Sequence, residues 1–212
     1  MKAIRNAFVA LLALGLIGAG LYGWWTFDLR WRPHTITKNQ AEIGKLLQGA
    51  GWVSPGLTGT KLYLITYRDN FDGAGYQQNE FARLQAADVD TRVIVIARPD
   101  LNGQPKSTPI ERTTVAELWV NRSWDFYQKW TASPADSWTA KGIAAADGDV
   151  ARSAVVEVGR ETIDRLTPLL KANGIRFAYP TLVWWAKDGT MKGLAGVKSP
   201  SYDRIRADLG GK

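Results

Sequence analysis

The chain offers few side chains of the kinds that enzymes use for covalent or metal chemistry. It contains no cysteine and one histidine, His34, among 212 residues. Without a thiol there can be no disulfide, no thiolate nucleophile, no iron–sulfur cluster and no cysteine-ligated zinc. A single imidazole also argues against a histidine-based metal site and against a Ser-His-Asp triad. We therefore predict that the protein uses neither a metal nor a cofactor.

A polar turn at residues 70–73 (NFDG) precedes a helical pattern and invites a test for calcium binding. An EF-hand loop needs Asp at its first position, Gly at its sixth and Glu at its twelfth. With Gly73 at the sixth position, Arg68 is the first residue and Asn79 the twelfth, so the pattern fails. We interpret the segment as a turn and helix cap, with contact to a ligand as the alternative.

Three acidic residues lie near this turn: Asp69, Asp72 and Glu80. Paired carboxylates can serve as general acid and base, but no basic or nucleophilic partner accompanies them in the sequence. An enzyme with non-thiol chemistry is therefore kept as an alternative, and not as the leading hypothesis.

The charge balance is basic, with 27 Lys and Arg against 20 Asp and Glu, a net charge of +7 and a pI of about 9.7. These basic residues are scattered, and no run of five occurs. A scattered distribution is typical of a solvated surface. We predict no binding of nucleic acid.

The N-terminal region is apolar. Residues 1–6 carry Lys2 and Arg5, and no charged residue follows until Asp28. We predict a cytoplasmic N-terminus at 1–6 and a single transmembrane anchor at 7–27, which places the C-terminal part outside the cytoplasm, in the periplasm of a Gram-negative bacterium. A cleaved signal peptide is the alternative, with its site near Ala19.

Small residues recur every four positions along the predicted anchor, at Gly15, Ala19 and Gly23. This spacing permits close packing of two helices in lipid. It predicts a homodimer through this face, against the alternative that glycine is simply common in membrane helices.

The rest of the chain alternates between strand and helix patterns. Residues 28–51 are predicted to form a tether with one short helix, and residues 52–212 the main domain with a helical insertion at about 110–150. The predicted strands are 61–67, 91–97, 181–186 and 190–197. The predicted helices are 76–87, 134–145, 161–172 and 201–209. A further helix is predicted to begin at a capping box formed by Thr114 and Glu117. The order β-α-β, helices, α-β-β-α predicts a three-layer α/β domain.

Three segments resemble the periplasmic thiol–disulfide isomerase and chaperone proteins of the Dsb type, which have a thioredoxin fold. These segments are 62–73 (LYLITYRDNFDG), 91–99 and 179–196 (YPTLVWWAKDGTMKGLAG). The resemblance extends from Trp52 to Leu209. It implies a thioredoxin-like fold, an exposed turn at the start of the first core helix, and a peptide-binding site beside it.

The resemblance fails at the residues that give the family its activity. The family has two cysteines separated by two residues, and the first is made reactive by the helix N-terminus. Asn70 and Gly73 occupy these positions here, with Phe71 and Asp72 between them. The family's dimerisation domain is replaced by the apolar segment. Redox activity is therefore not implied.

The resemblance also implies a cis bond between Tyr179 and Pro180, next to the turn. In the family, the residue before this proline pairs with an extended peptide. We accordingly predict a peptide-binding site at Tyr179, Pro180 and Thr181. The alternative is a structural proline with nothing bound.

The chain has ten tryptophans, of which seven follow the N-terminal region. Such residues usually pack in a core, although an exposed subset could bind a peptide or a sugar ring. Our leading hypothesis is a membrane-anchored, redox-inactive domain that binds an envelope protein or peptide as an adaptor, chaperone or accessory subunit. A glycan-binding module is a further alternative.

Overall fold

A computed structural model describes residues 2–211, without the side chains of residues 2–5, 7–10, 27 and 29. The chain divides into two compact units, Met1–Arg32 and Pro33–Lys212. The first unit consists of helix α1 (Lys2–Phe27) and a short 3₁₀ turn (Leu29–Trp31). At its end, Asp28 accepts hydrogen bonds from the Trp24 indole N–H (3.1 Å) and the Arg32 Nε–H (3.1 Å).

Helix α1 lies where the anchor was predicted. Within the described residues, however, no helix combines the length and the apolar character that crossing a membrane requires. Residues 7–10 and 27 of the predicted anchor have side chains outside the described set. Membrane anchoring and pairing through Gly15, Ala19 and Gly23 remain predictions.

The second unit is built on one six-stranded mixed sheet with the order β1-β6-β5-β3-β4-β2. The strands are β1 (His34–Thr35), β2 (Trp52–Val53), β3 (Lys61–Thr66), β4 (Asp90–Val95), β5 (Thr181–Trp185) and β6 (Met191–Ala195). The helices are α2 (Gln40–Gly49), α3 (Phe71–Ala86), α4 (Pro109–Asn121), α5 (Trp124–Ala132), α6 (Val150–Lys171) and α7 (Tyr202–Leu209).

The connection of the four central strands defines the fold. Strands β3 and β4 are parallel and joined by α3, whereas β5 runs antiparallel to β3 and β6 antiparallel to β5. A βαβ unit followed by a ββα unit in this order is thioredoxin-like. Helices α4 and α5 are inserted between the two units, as predicted.

The strands in the centre of the sheet are apolar on both faces. Leu62, Leu64 and Val183 are fully buried, as is Trp184. A strand buried on both faces needs cover on both sides. Helices α3 and α7 pack together, and α6 packs with α2 and α4, which gives the predicted three layers.

The structure differs from the prediction at residues 28–51. Residues from Pro33 onward belong to the compact unit, where β1 pairs with β6, and Ile36, Ile43 and Leu47 are fully buried. The two-residue strand β1 is too short to show a periodic pattern. Its position is decided by pairing with β6.

The helix boundaries also differ in the insertion and before it. Helix α3 begins at Phe71, five residues before the predicted start. Helix α4 begins at Pro109 and is capped by Thr108, whose hydroxyl accepts the Glu111 N–H (3.1 Å). Thr114 lies inside that helix and donates to the Ile110 carbonyl (2.8 Å), so the predicted cap was wrong by six positions.

Residues 134–145 form turns instead of a helix, and α6 begins at Val150 instead of residue 161. The Asp149 side chain accepts the Arg152 N–H (3.0 Å) and so caps this longer helix. The sequence Asp-Gly-Asp at residues 147–149 is equally typical of a loop. A cap and a break use the same residue types, which explains the error.

Candidate functional site

The turn at residues 70–73 starts helix α3 and is held by its own polar groups. Asn70 is buried, and its Oδ1 accepts the Gly73 N–H at 2.6 Å. This is the standard bond of a helix N-cap. The amide of Asn70 is therefore used within the turn.

Gly73 leaves no room for a side chain. A Cβ atom built there would lie 2.5 Å from the Thr66 hydroxyl and 2.9 Å from Asn70 Oδ1. Any larger residue, cysteine included, would require Thr66 to move. The turn is thus built for a glycine, in addition to lacking both thiols.

Two of the three acidic residues near the turn, Asp72 and Glu80, are paired with cations. Both carboxylate oxygens of Asp72 lie 2.6 Å from Lys198 Nζ. Glu80 is 2% exposed and accepts two hydrogen bonds from Arg206, at 2.7 and 2.8 Å. Phe71, by contrast, is 88% exposed. The turn thus presents an aromatic ring and a neutralised carboxylate to the surroundings.

The segment before β5 lies next to this turn. The Tyr179-Pro180 bond is cis, as predicted. Thr181 pairs with Ile65, and this register places Pro180 opposite Thr66, the residue that touches Gly73. Two of the predicted site segments therefore meet at the end of β3.

Thr181 is packed inside the protein and holds the segment before β5 in place. It is fully buried, and its hydroxyl donates to the Ala178 carbonyl at 2.6 Å. The Pro180 carbonyl accepts the Gly196 N–H at 2.8 Å. Of the three predicted peptide-binding residues, only Tyr179 keeps unpaired backbone groups: within the described part of the chain, neither its N–H nor its carbonyl has a hydrogen-bond partner.

The ring of Tyr179 belongs to an aromatic group. It packs edge-to-face against Tyr67 (centroids 5.3 Å apart) and against Phe177 (5.1 Å). Burial raises the pKa of Tyr179 to about 12, although the positive charge of Arg98 acts in the opposite direction. The phenol is therefore neutral at physiological pH.

Arg98, in the loop after β4, covers this group. Its guanidinium carbon lies 3.7 Å from the centre of the Tyr67 ring. Its Nε is buried, yet it has no hydrogen-bond partner among the described residues. The loop itself is fixed by Arg160 of α6, which donates to the carbonyls of Ala97 (3.0 Å) and Arg98 (3.1 Å).

Two cavities adjoin at this loop. The larger, of about 710 Å³, is rich in charged side chains, and we call it the charged cavity. The smaller, of about 300 Å³, is lined mainly by apolar groups, and we call it the apolar cavity. Its apolar lining consists of Ile96, Pro99, Leu101, Ile163, Phe177 and Tyr179.

Glu111 of α4 lies in the charged cavity. Burial raises its pKa from 4.5 to about 6, and the negative charge of Asp69 adds to this effect. The Thr108 N–H and the cations Arg98 and Arg68 act in the opposite direction. The carboxyl group therefore titrates close to neutral pH.

The insertion is fastened to the turn region. Arg68 donates to the carbonyls of Trp130 (3.1 Å) and Ser133 (2.8 Å) at the end of α5. The Tyr127 hydroxyl donates to Gln77 of α3 at 2.6 Å. These bonds hold α5 against the segment that follows β3 and against helix α3.

The tryptophans of the Pro33–Lys212 unit are all at least partly buried. Trp130 and Trp184 are fully buried, and Trp119 donates its indole N–H to the Val95 carbonyl at 2.8 Å. These rings pack in the core. Trp52, Trp124, Trp138 and Trp185 remain partly exposed, and glycan binding stays an untested alternative.

The sequence did not reveal Arg98, which lines both cavities, or Glu111, which lines the charged cavity. Thr108-Pro109-Ile110-Glu111 is a capping box with proline at the first helical position, and this signal could have placed Glu111 correctly. Arg98 has no such signal, because its contact with Tyr67 depends on the pairing of β3 with β4. In the part of the chain that the structure describes, no three potential metal ligands cluster.

No known protein family model matches the chain, and no curated protein matches it. A solved structure with some similarity is that of Proteus mirabilis ScsC in a compact conformation, with a TM-score of 0.49 and 14% sequence identity. The match covers 99% of this chain and 96% of that one. A likeness at this level says nothing about activity.

Proposed function

We propose that this thioredoxin-like domain is redox-inactive and binds an extended segment of another protein beside Tyr179. One observation carries the proposal: Tyr179 has an unpaired backbone N–H and carbonyl at the edge of an apolar cavity of about 300 Å³. Unpaired peptide groups can pair with an incoming strand, and a neighbouring cavity can take one of its side chains.

The absence of thiols directs the function toward binding. Thiol–disulfide exchange needs an attacking thiolate, and the chain has no cysteine. Asp72 and Glu80 are held in ion pairs with Lys198 and Arg206, which leaves them poorly suited to act as bases. Asp69 lines the charged cavity without such a pair among the described residues. An accessory, adaptor or chaperone role of the Dsb-like type, as the sequence resemblance implies, fits these features best.

The proposed setting is the cell envelope, with α1 as the membrane attachment. Trp24 and Trp25 at the end of this helix are exposed, as interfacial anchors are. Fractionation of cells with an alkaline carbonate wash tests this part separately. Recovery of the full-length protein in the washed supernatant would contradict it.

Site-specific cross-linking tests the binding proposal. The photoreactive amino acid p-benzoylphenylalanine replaces Leu101, which lines the apolar cavity. The full-length protein is produced in the organism that encodes it, so that its natural partner is present. Val120, an exposed residue of α4 outside both cavities, is the matched control position. We expect a defined protein adduct from position 101 and none from position 120.

Mass spectrometry of the adduct identifies the partner segment. A single segment attached at position 101 supports strand binding. Equal labelling from both positions, or no adduct from position 101, would show that the apolar cavity is not a binding site.

A further inference from the structure

The two cavities share four lining residues: Arg98, Asp100, Lys106 and Arg160. Three of them, Arg98, Lys106 and Arg160, are cations. We call the four shared residues the junction. Arg160 is paired with Glu157 at 2.5 Å and donates to two loop carbonyls. Arg98 and Lys106 have no ion pair among the residues that the structure describes. The junction therefore holds two cations without a counter-charge in contact.

Arg98 is prepared to accept an anion. Its guanidinium is stacked 3.7 Å over the Tyr67 ring, so its orientation is set by packing. Its buried Nε lacks a hydrogen-bond acceptor. A buried donor without a partner is unfavourable relative to its hydrated state, and a carboxylate bound to the guanidinium would supply an acceptor.

The acids of the charged cavity compete only in part. Asp147 forms a bidentate pair with Arg112, at 2.7 and 2.5 Å, and Glu157 is paired with Arg160. Glu111, Asp69 and Asp100 line the same cavity without such a pair. Of these three, only Asp100 also belongs to the junction, and the apolar cavity holds one further acid, Asp164.

We propose that the bound segment carries an acidic side chain two positions from a large apolar one, with the apolar group in the apolar cavity and the carboxylate on Arg98. This inference rests on the proposed function and specifies its ligand. In an extended strand, side chains two positions apart lie on the same face, about 6.6–7 Å apart. Because Arg98 itself lines the apolar cavity, an apolar side chain in the cavity would leave the acidic one, two positions away, close to the guanidinium.

Three peptide pools test the proposal with the purified full-length protein. Each pool is acetylated and amidated, has phenylalanine at its centre and random small residues elsewhere, and has Glu, Gln or Lys two positions from the phenylalanine. Binding is measured by fluorescence anisotropy. We expect the Glu pool to bind about 10-fold more tightly than the Gln pool, and the Lys pool to bind most weakly.

Variants locate the effect. Arg98→Gln should bring the Glu pool to within about 2-fold of the Gln pool. Arg122→Gln, which removes another arginine stacked on an aromatic ring (4.8 Å from Trp52) outside both cavities, should leave the preference unchanged. The comparison among pools on the unmodified protein does not depend on the folding of either variant.

The outcomes separate the two proposals. Equal affinities for the three pools, or a preference for Lys, overturn the acidic-ligand inference and leave peptide binding intact. A Glu preference that survives Arg98→Gln also overturns it. No binding by any pool contradicts the proposed function, and the inference with it.

Discussion

The turn at residues 70–73 and the junction at Arg98 lie at the same end of the sheet but differ in how their polar groups are satisfied. At the turn, Asn70 caps the helix, Asp72 is paired with Lys198, and the buried Glu80 is paired with Arg206. At the junction, Arg98 has a buried donor with no acceptor, and Tyr179 has unpaired peptide groups.

Polar groups paired within the protein stabilise its fold, whereas a buried group without a partner at the edge of a cavity needs a separate explanation. Ligand binding is the explanation that we propose for Arg98 and Tyr179. The turn, which in the resembled family is the reactive centre, here supports the structure. In our proposal, recognition falls to the neighbouring loops.

The largest effect is expected at the ion pair behind the turn. Arg206→Leu removes both hydrogen bonds to Glu80, which is 2% exposed and would remain as a buried, poorly compensated charge. We expect a loss of about 3–5 kcal/mol in the free energy of unfolding, measured with urea. Asp203→Ala, which removes an 88% exposed partner of Arg206, should change it by less than about 0.5 kcal/mol.

A smaller loss is expected at the helix cap. Asn70→Ala removes the acceptor for the Gly73 N–H and should lower the free energy of unfolding by about 1–2 kcal/mol. Asn70→Asp, which keeps an acceptor at that position, should retain most of the stability. If the turn is only structural, peptide affinity of the folded variant stays unchanged. A large loss of affinity would break the division between the two regions.

Glu111 in the charged cavity should make the free energy of unfolding depend on pH. Because the pKa of Glu111 is raised from 4.5 to about 6, the folded state holds more protons than the unfolded state between these values. The stabilising contribution of Glu111 to the free energy of unfolding is thus fully present below about pH 4.5, and it is lost as the pH rises through about 6.

Glu111→Gln tests this directly, because glutamine can also serve in a capping box. Urea unfolding of both proteins at several values between pH 4 and pH 7.5 should show the variant gaining stability relative to the unmodified protein as the pH rises. Parallel pH profiles would contradict the assignment.

The smallest effect on stability is expected at Phe71. Its ring is 88% exposed, so Phe71→Ala should change the free energy of unfolding by less than about 0.5 kcal/mol. The affinity of the Phe71→Ala variant for the peptide pools is measured as well. Unchanged affinity for the peptide pools places the ligand wholly at the junction and apolar cavity, whereas a clear loss would extend the binding surface to the turn.

Much of the fold could be predicted from the sequence because the central elements are long and strongly patterned. The strands at 61–66 and 181–185 are runs of apolar residues, and the Asp188-Gly189 turn marks the final hairpin. The errors fell on short or ambiguous elements. Strand β1 has two residues, and the start of α6 at Asp149 has the same residue types as a loop.

The candidate site divides in the same way. Asn70 as a helix cap and the cis bond before Pro180 followed from the local sequence and from the resemblance. Thr181 is buried because β5 pairs on both sides, with Ile65 and Ala195, and its part in peptide binding stays a prediction. Pairing is a property of the sheet and cannot be read from one strand.

By itself, the sequence determined that the protein has no thiol chemistry, that its core is a mixed α/β arrangement, and that asparagine and glycine stand at the two ends of the turn. These properties depend on residue identity and local periodicity. Only the tertiary structure decided that Arg98 lies on Tyr67, that Glu111 is desolvated near Asp69, and that Tyr179 borders an apolar cavity. Such contacts join residues far apart in the chain, and their energies depend on burial and distance, which arise only when the elements pack together.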